Sequence, residues 1–154
     1  MKFIVLILIV TLSVSCSEKK FIYYEFDGVT ITRIDEEAES YFYYGRCDDI
    51  QHCPDKFIWA EYHGLDGVMG GYLVFQKNRQ VKFIRMYDHF EEIGGNSPLY
   101  LFQFSENIRF INWQDSIKGN YNNIIRIADV LNLEKTLNNR NNSRVKATYP
   151  NLEN

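Results

Sequence analysis

The sequence predicts an α+β domain, an antiparallel, meander-like sheet of about six or seven strands with one main amphipathic helix near the C-terminus. Three observations lead there. Aromatic residues make up 16% of the 154-residue chain, with 11 Tyr and 11 Phe, and aromatic and β-branched side chains suit pleated, half-buried surfaces. Short apolar runs alternate with turn signals from Phe21 to Trp113. Beyond that the apolar period lengthens from two to three or four.

The strands follow in order. Phe21–Phe26 and Val29–Ile34 flank Asp27-Gly28, a strong two-residue hairpin signal. Glu36-Glu37-Ala38-Glu39-Ser40 is a charged connection with room for one helical turn. Tyr41–Tyr44 and Phe57–Tyr62 are short aromatic strands, the second alternating Phe57, Trp59, Glu61 on one face. Tyr72–Gln76 and Val81–Tyr87 are joined by the polar turn Lys77-Asn78-Arg79-Gln80. Leu99–Phe104 and Ile108–Trp113 complete the set. In Tyr121–Leu137 apolar residues fall at Ile124, Ile127 and Leu131, with Val130, Leu133 and Leu137 less regular. That spacing predicts a helix, capped by Asn120 or Ser116, with its stripe on one sheet face. Residues 21–137 thus form a single globular domain, and residues 138–154, opening on Asn138-Asn139-Arg140-Asn141-Asn142-Ser143, a polar, weakly ordered tail.

Residues 1–15 precede the domain and read as an export signal. Lys2 is followed by the apolar run Phe3–Val10, then by Thr11, Leu12 and the small Ser13, Val14 and Ser15. A membrane-spanning helix needs about 20 apolar residues, and this run ends by Leu12. Small residues directly before Cys16 resemble the lipobox of bacterial lipoproteins. Ser15 matches the residue before the Cys, while Leu12 stands one place upstream of the family's usual Leu and Ser13 holds that place. The resemblance covers residues 1–16. It implies cleavage before Cys16, a diacylglycerol on its thiol and a second acyl signal such as palmitate on the new N-terminus. Two acyl signals give durable attachment where one is marginal. Residues 16–20 become the lipidated N-terminus and a short tether, and the implied location is the bacterial cell envelope, in the periplasm or on the outer surface. Secretion as a soluble protein is the alternative.

The formal net charge is −3, and loss of Lys2 leaves 16 basic against 20 acidic residues, a net −4. Mild acidity argues against nucleic acid, which needs a basic stripe. With Cys16 taken by lipid, Cys47 and Cys53 remain as an even pair. In an oxidising compartment a disulfide is the leading reading. A metal site from Cys47, Cys53, His52 and Asp48 or Asp49 has suitable ligand types at a wider cysteine spacing than usual. Free thiols are the third possibility.

Three segments are candidates for chemistry. The loop His63–Gly71 is glycine-rich, but a strand rather than a helix follows, so it reads as a hairpin loop rather than a phosphate cradle. Glu61, His63 and Asp66 are the weak catalytic candidates, with Glu61 and His63 on one face if the strand continues. Asp88, His89, Glu91 and Glu92 read as a solvated acidic turn. No Ser or Cys sits in a recognisable nucleophile elbow, and the residues call for no cofactor. The expected function is that of a lipid-anchored, non-enzymatic envelope protein that binds a partner: a protein such as a toxin or hydrolase that it inhibits, or another envelope component. The alternative is a small envelope hydrolase using Glu61 and His63.

Overall fold

The computed structural model describes residues 19–61, 70–85, 89–102, 122–127, 135 and 143–150. The expected export signal, Cys16, His63, Asp66, Asp88 and the strand Ile108–Trp113 lie outside them. Ten strands are described: β1 Lys20–Phe26, β2 Val29–Glu36, β3 Glu39–Tyr44, β4 Phe57–Glu61, β5 Gly71–Phe75, β6 Val81–Arg85, β7 His89–Ile93, β8 Leu99–Phe102, β9 Ile124–Ile127 and β10 Lys146–Thr148. They form two sheets, in the orders β10-β1-β2-β3-β4-β7 and β8-β6-β5-β9.

Local chemistry builds the first sheet as a meander. Asp27 and Gly28 have φ of 48° and 71°, the positive pair that a tight two-residue hairpin demands. Glu37 (φ 55°) and Ala38 make a second two-residue turn between paired Glu36 and Glu39. The charged connection is therefore a turn, with no helical residues. Strand β7 then crosses from β6 to pair with β4. The chain re-enters the second sheet running in the direction of β6, so β8 pairs with β6 in parallel.

Alternation decides which side chains enter the core. Ile22 and Tyr24 of β1, Val29 and Ile31 of β2, Phe42 of β3, Ile58 and Ala60 of β4 and Phe90 of β7 point toward the second sheet. They meet Leu73 and Phe75, Val81 and Phe83, Leu99, Ile125 and Ile127 in one buried cluster. Phe83 is its centre, with ring centroids 4.7 Å from Phe42 and 4.9 Å from Phe90. Gly71 opens β5 for a packing reason: a Cβ there would lie 2.8 Å from Cε1 of Phe83.

Two expectations are corrected. The domain is two packed sheets rather than one sheet and a helix, and Ile124–Ile127, inside the expected helix of residues 121–137, is strand β9. Of the rest of that segment Tyr121, residues 128–134 and residues 136–137 lie outside the described residues, and Lys135 is helical. The reason is local. Ile125 and Ile127 face the core while Ile124 joins a smaller cluster with Tyr72 and Ile84, a period of two that β-branched side chains favour over a helix. The C-terminal run also contains β10, which pairs Ala147 with Tyr24. Its residues bring little apolar surface, but Val145 and Tyr149 on either side are buried in the main cluster.

Arg33 shares the inward parity of Val29 and Ile31, and its side chain is 1% exposed. Its Nε donates to Asp35 Oδ1 at 2.6 Å, Ser40 Oγ donates to the same oxygen at 2.5 Å, and Arg33 Nη1 approaches Tyr24 Oη at 3.5 Å. The guanidinium also lies 5.7 Å from the Phe42 ring centroid. A buried cation survives only where such partners replace water.

The sandwich has two distinct ends. One carries the start of β1, the Glu37-Ala38 turn, the end of β4 and the start of β7. The other carries the Asp27-Gly28 turn, residues 45–56 and the turn at 76–80, where Tyr44 Oη donates to the Arg79 carbonyl at 2.7 Å.

Candidate functional site

The outer face of the first sheet is unusually aromatic because the alternating strands carry apolar residues at both parities. Phe21, Ile34, Tyr41, Tyr43 and Phe57 face away from the main core. The segment between β3 and β4 folds over part of this face. Cys47 and Cys53 are joined, with Cα atoms 5.3 Å apart, and the buried Cys47 packs with Ile34 and Tyr43 while Ile50 and Cys53 close over the cluster. Thr32 Oγ1 ties the loop down, donating to the Gly45 carbonyl at 2.7 Å and accepting from the Cys47 amide at 3.1 Å. Both thiols are thus used in a covalent bond, and among the described residues no group of three or more His, Cys, Asp or Glu is placed to hold a metal ion.

The disulfide is expected to stabilise the fold by about 2 kcal/mol through loop closure. Denaturant titration of a Cys47→Ser, Cys53→Ser double variant should show a lower midpoint at unchanged slope. An unchanged midpoint would remove the bridge's structural role.

Tyr23 anchors the same loop, its hydroxyl donating to Asp48 Oδ1 at 2.8 Å while Arg46 lies 4.2 Å from the ring centroid. Burial first, then the hydrogen bond and the charge of Asp48, push the phenol from 10.0 up to about 12, against the opposing pull of Arg46. The folded state thus holds a proton that the unfolded state releases first. Stability from this group is complete below pH 10 and is lost as pH rises toward 12. Unfolding midpoints measured across that window should fall less steeply in Tyr23→Phe; identical slopes would refute the assignment.

Beyond the disulfide loop the face is half-exposed. Tyr41, Phe57, Trp59 and Ile93 are all partly open. Tyr41 and Phe57 rings lie 5.9 Å apart, Phe57 and Tyr43 5.3 Å, and Trp59 meets His89 edge-on at 5.7 Å. Carboxylates border this patch. Strand register sets Glu39 opposite Glu61, Glu61 opposite His89, and Trp59 opposite Glu91. The Tyr41 hydroxyl donates to Glu39 Oε2. Burial foremost, then that bond and the charges of Glu39 and Glu36, hold the Tyr41 phenol well above its ordinary value.

No family of proteins, curated protein or solved structure matches this chain.

Of the three catalytic candidates, only Glu61 lies among the described residues, half-buried at the end of β4. His63 and Asp66 are outside them. The structure gives Glu61 a different neighbour, His89. The acidic turn of the sequence reading is also revised, because His89–Ile93 is strand β7, with Glu91 exposed beside the aromatic patch and Glu92 turned to accept from the Leu101 amide at 3.1 Å. Sequence reasoning missed Glu39 and His89 as neighbours of Glu61 because only strand pairing brings them together.

Proposed function

We propose that this chain is an exported, non-enzymatic binding protein of the bacterial cell envelope, held to its membrane by a lipid on Cys16. Its binding surface is the outer face of the six-stranded sheet, and its partner is a basic protein. The observation that supports this most is the opposition of Glu39 and Glu61 beside half-exposed Trp59, Phe57 and Tyr41. The two carboxylates give the aromatic face an acidic border, which complements a cationic partner while the aromatic side chains supply apolar contact area. The lipobox resemblance at Ser15-Cys16 supports the anchor.

Each part has its own test. Cys16→Ala should leave the membrane fraction for the soluble or unprocessed pool, and membrane association that survives a carbonate wash in this variant would sink the lipid. For the surface, full-length lipidated protein is used to capture partners from solubilised envelopes. A basic protein released by added salt should be lost with Trp59→Ala and with Glu39→Gln, Glu61→Gln, but kept with Lys77→Ala at the far end. An identical catch from the Trp59→Ala protein would refute the surface.

The hydrolase reading draws support from one geometric fact, that Glu61 and His89 are cross-strand partners. A carboxylate beside an imidazole is a general-base arrangement. Turnover of peptidoglycan, peptide, ester or glycoside substrates that vanishes with Glu61→Gln would promote it over the binding reading.

A further inference from the structure

We infer that the protein meets the lipid bilayer with the end of the sandwich that carries the start of β1 and the Glu37-Ala38 turn, so that the disulfide end projects away from the membrane. The inference rests on the Cys16 anchor proposed above and extends it from attachment to orientation. It follows from covalent reach. Lys19 is already fixed to the fold, its Nζ 3.1 Å from Glu36 Oε2, and β1 begins at Lys20. Only Ser17 and Glu18 separate Cys16 from Lys19. A fully extended chain spans about 3.5 Å per residue, so the anchor lies within about 10 Å of Lys19. Strand β2, of eight residues, is about 26 Å long at about 3.3 Å per residue. The tether is less than half the height of the sandwich, so the anchored end stays near the headgroups.

Charge at the anchored end is mixed, since Lys19 and Lys20 stand there with Glu36, Glu37, Glu39 and Glu61, so covalent reach alone sets the orientation. The far end holds the Asp27-Gly28 turn, the Cys47–Cys53 loop and an open groove of about 570 Å³ between Glu25, Asp27, Arg144 and Lys146. Orientation also bears on the proposed binding surface: the Glu39–Glu61–His89 row lies at its membrane end, so a partner docked there sits at the lipid surface.

The test uses the full-length lipidated protein in vesicles of phosphatidylcholine and phosphatidylglycerol doped with a headgroup nitroxide lipid. One thiol is added for a fluorophore, by Ala38→Cys at the anchored end or Lys77→Cys at the far end; both positions are exposed. Flotation with the vesicles, loss of most fluorescence at position 38 and none at position 77 is the expected result. Flotation with equal quenching at both positions, or quenching at 77 alone, overturns the orientation and leaves the anchor standing. Failure to float overturns the anchor and the orientation with it.

Discussion

Phe83→Ala should lower the free energy of unfolding by about 4 kcal/mol, the middle of the range for deleting a buried aromatic ring. Phe83 is fully buried and joins the two sheets through Phe42 and Phe90. The cavity left by its ring has few ways to collapse. Both sheets are pinned by their own hydrogen bonds, and Gly71, where a Cβ would meet the ring, has no side chain to lean in. Phe83→Leu keeps much of the volume and should cost markedly less. The measurement is chemical denaturation of the two variants beside the wild type. Equal, small losses would mean that Phe83 is not the centre of the core.

Asp35→Ala should destabilise the fold by about 3 kcal/mol, since removing one member of a buried ion pair takes a charged partner from the other in low dielectric. Arg33 is 1% exposed and Asp35 18%, so the carboxylate is partly solvated, which places the loss at the lower end for such pairs. Ser40 also loses its acceptor. Arg33→Met is the informative companion. It removes the cation and keeps an apolar stem of similar length, and should cost less than Asp35→Ala. The comparison distinguishes lost charge pairing from lost packing. A larger loss in Arg33→Met would show instead that the guanidinium's contacts outweigh its desolvation.

Local chemistry was legible and partnership was not. The Asp27-Gly28 hairpin and the polar turn at 77–80 stand where turn residues put them, because their backbone angles are set within a few residues. The Cys47–Cys53 bond was legible from even pairing in an oxidising compartment. The second sheet was not, because a period of two says that a segment is a strand and nothing about which sheet receives it. Strand β9 was hidden by an ambiguity: Ile124 and Ile127 satisfy a three-residue spacing, while Ile125 carries the two-residue one. Strand β10 was hidden because Lys146, Ala147 and Thr148 carry no apolar pattern, and Val145 and Tyr149 outside it make the buried contact. Arg33 could have been found, since it falls at the parity of Val29 and Ile31. Glu61 was legible as a carboxylate at a strand end, but the side chains around it come from β3 and β7 and require the register.

The pairing of β10 with β1 sets a time order on folding. Strands β1 to β3 are joined by two-residue turns, so their pairing closes very short loops and is fast. Tyr23 and Thr148, by contrast, are register partners, and almost the whole domain lies between them. Closure over so long a separation is entropically slow. As the chain emerges from its N-terminus, the free edge of β1 is therefore made early and covered late. In that interval β1 is an open strand edge, a template on which a second chain can pair. The pairing that spans the longest stretch of chain in this sheet is also the one that covers the Tyr23–Glu25 edge of β1.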